Sequence, residues 1–433
     1  MKRIIICFVT TIILCCYFAC NKENVPATED VPVIEDISEI ETVPETDSIQ
    51  PFTPIVLTVK QDEKVNADNY FAFKMFREVS ALAEEPNTFF SPLSLNMALG
   101  MLYNGVSGDT RTEMAETLGM ADFTDIEINE YYQKMSQTLL EIDPLTEISI
   151  ANSIWYREGF PVKQSFFDIN QTYFDAIVKA LDFSKPDAAD IINQWCAEKT
   201  KDRIEEIVEN PISDLTVMFL INALYFKSTW QFEFDKANTK QDDFTKAYNQ
   251  KVKVNMMEQT TALPYYADQY LQCVELPYGN QAFSMVAILP GEDMDIDQLI
   301  NYLDDAKWEN VVNNLFGRKV WLKLPRFKVE CELPLNEPVK NTGMERIFDE
   351  FFAEFANISE TFLYVSEIKQ KTFVEVNEEG TEAAAVTVII IGDTSVGPDP
   401  TIRFFANRPF LYLIKEKSTG VILFIGLMDE PTE

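Results

Sequence analysis

Helical periodicity fills the first half of this 433-residue chain and strand periodicity the second. That segregation argues for an α+β fold, because alternating βαβ units would interleave the two periods. Phe71, Phe73, Met75, Phe76, Val79 and Leu82 recur at helical spacing within 66–83. Further helices are expected at 91–104, 109–119, 126–141, 164–179, 186–207 and 295–313. Strand-like runs fall at 147–156, 216–226, 251–257, 270–276, 282–289, 319–331, 371–377, 385–391, 402–406, 409–415 and 421–427. No internal repeat interrupts them, so one large domain over 61–433 is expected.

Ahead of that domain stands an address. Lys2 and Arg3 precede an apolar run from Ile4 to Ala19, the pattern of a secretory signal over 1–19. The run is short for a membrane span of about 20 residues. Cys20 directly after Ala19 resembles a bacterial lipobox, in which the cysteine becomes the lipidated first residue; Tyr17 stands where an aliphatic is usual. An uncleaved anchor or a plain signal peptide is the alternative. Residues 20–60 hold nine carboxylates between Glu23 and Asp47 and recurrent prolines, with no Lys or Arg among those acids. Like charge and proline resist collapse, so a disordered tether is expected. The domain would then be secreted and lipid-anchored to a bacterial envelope, on the outer membrane or cell surface.

Composition removes several functions. There is no histidine, hence no Ser-His-Asp or Cys-His triad and no His-ligated zinc. The formal charge of −34 opposes nucleic-acid binding. It becomes −36 once Lys2 and Arg3 leave with the signal. Neither a complete G-x-G-x-x-G nor a P-loop occurs. Four cysteines lie in the leader; Cys196, Cys273 and Cys331 are odd in number and far apart, so buried free thiols are expected. No metal and no cofactor is implied.

The stretch from Phe373 to Phe410 does not read as ordinary core. An alternating strand, Phe373 to Asn377, meets Glu378-Glu379-Gly380, which should break it. The chain resumes as Thr381-Glu382-Ala383-Ala384-Ala385 and a β-prone run to Ile391, with no proline to interrupt a ladder. One face is Thr381, Ala383, Ala385, Thr387, Ile389 and Ile391, small at first and able to slide between two strands. A buried strand after a turn is the plain alternative.

Residues 378–385 resemble the reactive-loop hinge of the serpins. Phe405-Ala406-Asn407-Arg408-Pro409-Phe410, Phe424-Ile425-Gly426-Leu427-Met428, Asn87 to Ser94 and Gly105 to Thr110 are similar to further serpin signatures, in the same order. The resemblance covers about 65–431. It implies helices around a large central sheet, two further sheets and an exposed reactive loop. It also implies a suicide inhibitor of proteases and not an enzyme. The target cuts the loop, is held as an acyl-enzyme, and the loop inserts as a new strand. The hinge would be Glu378, Gly380, Thr381, Glu382, Ala383, Ala384 and Ala385. Ser91, Ser94, Asn152, Asn222, Trp230 and Gln370 would govern sheet opening. Gln370 replaces a common family histidine and cannot titrate near neutrality. Glu378 and Arg326 would form a salt bridge, worth ~0–1 kcal/mol if exposed.

Family spacing places the cut bond at Thr394–Ser395 counting from Gly380, or at Ser395–Val396 counting back from Asn407; Asp393 is a further candidate bait. No Lys or Arg lies between Lys371 and Arg403, which favours elastase-like or subtilisin-like serine proteases over trypsin-like ones. The expected partners are a target protease in covalent complex and a membrane reached by the lipid. The inhibitor should be a monomer without nucleic acid or a heparin-type activator, since no dense basic stripe lies on the expected helices. Competing readings are a non-inhibitory serpin acting as substrate or binding module, a cysteine-protease inhibitor, and a lipoprotein enzyme or nutrient-binding protein of another fold.

Overall fold

A computed structural model describes residues 52–381 and 400–432. The expected signal, Cys20, most of the tether, Glu382 to Ala385 and the bond at Thr394–Ser395 with its alternatives Asp393 and Val396 lie outside the described residues.

Two sheets carry the fold. The six-stranded sheet runs Phe327–Pro334, Lys369–Val376, Gly380–Thr381, Met218–Thr229, Thr146–Arg157, Ile177–Leu181 in spatial order. The larger sheet runs Thr88–Phe90, Ile422–Met428, Phe410–Glu416, Phe283–Pro290, Leu271–Pro277, Lys251–Ala267, Phe316–Pro325, Ile402–Phe405, with Lys240–Thr245 beside the Lys251 strand. The helix Pro92–Tyr103 lies between the sheets, and every residue of it except Ala98 is buried. A helix that is apolar on all sides has to be enclosed in this way. On the outer face of the smaller sheet, Ile192 and Trp195 of the helix Ala188–Lys199 pack with Trp155, Ile221 and Ala223.

Local chemistry explains where the elements begin. Thr58 and Gln61 form a capping box that opens the first helix at Val59; the helix ends at Leu82, where Ala83 turns extended. Phe52, Ile55 and Leu57 pack against the core, and Ile55 N donates to Ser418 Oγ at 2.9 Å. Residues 52–57 thus pack on the body ahead of position 61, because their apolar side chains find a surface to cover. Thr124 with Glu127 and Asp295 with Gln298 repeat the capping box at Asp125–Glu141 and Ile296–Tyr302.

Four expected elements differ. The run 295–313 is two helices, because the Asp304 side chain caps a new one at Asp305 by accepting from Lys307 N at 2.8 Å. The run 164–179 ends as a helix at Phe174, where Asp175 adopts φ 50°; Ile177–Leu181 then pairs parallel with 153–157. The run 186–207 is helical only over Ala188–Lys199, ending in left-handed Lys201 and Asp202. The run 319–331 divides at Arg326, whose N–H turns to Asn255 O at 2.8 Å, so one half joins each sheet. The strands Thr88–Phe90 and Lys240–Thr245 and the helix Asn336–Asn341 were not expected; their stability comes from neighbours rather than from local pattern.

The larger sheet buries an ion pair, Lys415 Nζ to Glu275 Oε1 at 2.9 Å, with Ser284 Oγ donating to the same carboxylate at 2.7 Å. Lys415→Met alone should leave Glu275 as an uncompensated charge and cost about 3–5 kcal/mol. The double variant Glu275→Leu with Lys415→Met should recover most of that loss. Thermal unfolding of both proteins checks it, and equal melting temperatures would contradict it.

Candidate functional site: the hinge and the sheet opening

Gly380–Thr381 is a two-residue strand wedged into the middle of the smaller sheet. Gly380 pairs with Thr229 and Thr381 with Ser228, while Val376 pairs with Thr381 on the other side. Both pairings are antiparallel, so the strands Met218–Thr229 and Lys369–Val376 run parallel to each other. Among the described residues no pairing joins those two strands directly. The insertion needs glycine: a Cβ at 380 would lie 2.1 Å from Ser228 O. Thr381 faces inward, buried, with its hydroxyl 2.5 Å from Tyr278 OH.

Around the hinge the side chains form a clamp. Trp230 stacks on Tyr278 with ring centroids 4.5 Å apart. Its indole N–H donates to Asn377 O at 2.9 Å and its backbone N–H to Glu379 O at 2.8 Å. Arg326 and Glu378 meet as expected, through Nη2 to Oε1 at 2.6 Å and Nε to Oε2 at 2.7 Å. The carboxylate is buried, so the small value of an exposed pair does not apply: Glu378 is 1% exposed, and Thr239 Oγ1 also donates to it at 2.5 Å. Burial pushes the Glu378 carboxyl up, but the hydrogen bonds from Arg326 and Thr239 outweigh it and hold the group below the usual range. Lys236 pairs with the neighbouring Glu379.

The other expected residues gather further along the sheet, away from Trp230, as a chain of hydrogen bonds. Gln370 Oε1 accepts from Ser91 N at 2.7 Å while Gln370 Nε2 donates to Ser91 O at 2.9 Å. Ser91 Oγ caps the helix Pro92–Tyr103 by accepting from Ser94 N, and it donates to Leu423 O at 2.8 Å. Ser94 Oγ donates to Asn222 O at 3.4 Å. Asn222 Nδ2 donates to Asn152 Oδ1 at 2.8 Å, and Asn152 Nδ2 to Phe174 O at 2.7 Å. The chain runs from the Lys369 strand, through the helix N-terminus beneath, to the Met218 and Thr146 strands. It ties together the two halves of a sheet that do not pair with each other. Asn222 Oδ1 is buried and has no partner among the described residues.

Tyr278, Thr239, Asn377 and Thr372 were not singled out as site residues. Thr372 Oγ1 donates to Phe89 O at 2.6 Å, and Asn377 Oδ1 accepts from Glu379 N at 3.0 Å. Tyr278 follows Leu276-Pro277 at the end of the strand Leu271–Pro277. The other three carry no local pattern. The thiols Cys196, Cys273 and Cys331 are free; burial pushes Cys196 up to about 12 and Cys331 to about 11, which leaves them unreactive.

Two measurements follow from this geometry. The Glu378 pKa is lower in the folded state, so its contribution is present above the unfolded value of about 4.3 and is lost as pH falls through the folded one. Glu378→Gln should cost about 1–3 kcal/mol at pH 7, and the deficit should fade below about pH 4. Thermal unfolding of both proteins against pH reads it. Gln370→His should make thermal stability fall from pH 8 to pH 6, because a charged imidazole has donors only and could no longer accept from Ser91 N. Equal melting temperatures of the variant at the two pH values would contradict it.

Comparison with known proteins agrees with this arrangement. The sequence profile of the family described as "Serpin (serine protease inhibitor)" matches residues 66–431. Iripin-2 of Ixodes ricinus is 32% identical over 384 residues, covering 87% of this chain and 96% of its own length. An uncharacterized serpin-like protein of Thermococcus kodakarensis is 33% identical over 374 residues, covering 85% and 86%. The crystal structure of tengpin, a thermophilic serpin, in its native state superposes with a TM-score of 0.77 at 30% identity, covering 88% of this chain and 97% of tengpin. A hinge inserted between two unpaired strands, the fold around it and these likenesses together establish that the chain belongs to the serpin family, whose members are generally protease inhibitors rather than enzymes.

Proposed function

We propose that this chain is a suicide inhibitor of serine proteases with elastase-like or subtilisin-like pockets, held to a bacterial envelope by a lipid on Cys20. One observation carries the inhibitory reading. The two halves of the smaller sheet are joined directly, among the described residues, only by the first two residues of the loop. A strand continuing in that register would set Ala383 level with Phe226 and Val374, and Thr387 level with Asn222 and Gln370. The inward positions are small where the flanking side chains Phe226 and Val374 are buried. Thr387 would bring a hydroxyl to the unpartnered Asn222 Oδ1.

In the proposed reaction the protease serine Oγ attacks the carbonyl carbon of Thr394. The bond to the nitrogen of Ser395 breaks, and that nitrogen leaves as an amine carrying the proton. Thr394 remains as an ester on the protease. Insertion of the freed loop then carries the ester away from the hinge before water can cleave it, and each new ladder bond drives the movement.

A panel of elastase, subtilisin, trypsin and a papain-like protease tests this. Elastase or subtilisin should give an SDS-stable complex and a cut within 391–397, and trypsin should not. Thr381→Arg would put a charge against Tyr278 and Val376 and should convert inhibition into simple cleavage. A cut chain with no stable complex in the parent would support a non-inhibitory serpin instead. A complex with the papain-like enzyme alone would redirect the target class. For the anchor, Cys20→Ser should abolish labelling by radioactive palmitate in a bacterial host; unchanged labelling would place the lipid elsewhere.

A further inference from the structure

One buried carboxylate belongs neither to the clamp at the hinge nor to the Ser91–Asn222 chain. Asp143 stands in the short turn between the helix Asp125–Glu141 and the strand Thr146–Arg157, and it is 3% exposed. Every group that donates to it is neutral. Oδ1 accepts from Leu145 N at 2.9 Å, and Oδ2 accepts from Thr146 Oγ1 at 2.7 Å and from Asn280 N at 3.4 Å. A carboxylate buried among neutral donors is costly to keep, so its neighbours show what it does.

Two arms lead from Asp143 to the residues that receive Thr381. The first is a line of hydroxyls. A carboxylate only accepts, so Thr146 must give its proton to Asp143 and keeps only lone pairs for Ser228. Ser228 is therefore the donor in the 2.7 Å contact between Ser228 Oγ and Thr146 Oγ1. Ser228 pairs in turn with Thr381. Left free, its hydroxyl would compete for nearby backbone groups, as serine side chains do. The second arm is the turn that follows Pro277. Gly279 is left-handed at φ 40°, and a Cβ there would lie 2.3 Å from Asp143 Oδ2. Asn280 Nδ2 donates to Ile142 O at 3.0 Å, which fastens this turn to the one that carries Asp143. Gly279 N donates to Thr229 O at 2.9 Å, and Thr229 is the partner of Gly380. Tyr278, whose hydroxyl meets that of Thr381, opens the turn.

One side chain thus holds both Ser228 and Tyr278. We propose that Asp143 is a positioning residue for loop insertion: it fixes Ser228 and Tyr278 at the spacing that seats Gly380 and Thr381, the two residues from which an inserted strand would grow. The proposal rests on the suicide-inhibitor reading. Asparagine cannot take this place. Its amide nitrogen would face a donor at either position, Leu145 N at one and Asn280 N at the other. A loosened seat would delay the first ladder bonds after cleavage, and the ester on the protease would have longer to hydrolyse.

The test uses the full chain, with the panel protease that forms the complex. It reads hydrogen exchange of the amides over 377–381 in the uncut inhibitor, and the number of inhibitor molecules consumed per protease trapped. Asp143→Asn and Thr146→Val should each speed that exchange about tenfold and raise the consumption. Thr146→Ser keeps the line of hydroxyls and should behave as the parent. The double variant should be no worse than Asp143→Asn alone, because both changes cut the same line. Lys415→Met, destabilised in the other sheet, should leave both readings at the parent's values. Should Asp143→Asn fail to fold, Thr146→Val decides. A stable parent complex with unchanged exchange in the variants, or an equal rise in Thr146→Ser or Lys415→Met, would overturn the positioning role and leave the inhibitory reading standing. Faster exchange with unchanged consumption would also overturn it. A parent that forms no stable complex would overturn both.

Discussion

Two parallel strands that face each other without pairing govern the rest of this structure. Each strand edge carries a row of N–H and C=O groups that require partners. Gly380 and Thr381 satisfy the first of them, at the hinge end. Beyond that point the two halves are connected through the buried helix Pro92–Tyr103, by way of Ser91, Ser94, Gln370 and Asn222. The arrangement resists collapse of one strand onto the other, since the wedge and the helix hold them apart. In the proposed mechanism a further strand would continue in the register that Gly380 and Thr381 begin.

The polar groups at this junction are neutral where neutrality has a consequence. A glutamine amide engages both backbone groups of Ser91 at once, one as donor and one as acceptor. A neutral imidazole has one donor and one acceptor at fixed ring positions, and its charged form has donors only. Charge is reserved for the hinge, where Arg326 and Thr239 offset the burial of Glu378. The tie between the sheet halves and the clamp on the loop are thus different in kind, one insensitive to acid and one not.

Much of the fold was legible in the residues because its signals are local. Capping boxes at Thr58, Thr124 and Asp295, and the apolar spacing after them, announce helices wherever they occur. Alternation announced most strands. The departures came where a local pattern runs on unbroken while the chain changes partner. Arg326 ends one strand and begins another within a continuous β-prone run, and Asp304 restarts a helix inside one helical period. Short strands such as Lys240–Thr245 exist because Lys251–Met256 offers a free edge, which no window of sequence displays.

The amino-acid sequence by itself determined the α+β class, the family, the hinge with its small inward residues, and the identity of the groups that meet there. The class follows from periodicity, which acts over a few residues, and the family and hinge from the resemblance of short motifs to those of the serpins. Only the tertiary structure decided that Glu378 is buried rather than exposed, that Trp230 stands with the hinge apart from the Ser91–Asn222 chain, and that Tyr278 seats Thr381. Burial and proximity between residues more than a hundred positions apart are products of how the sheets pack. No local pattern encodes them, because the free energy that sets them belongs to the whole core.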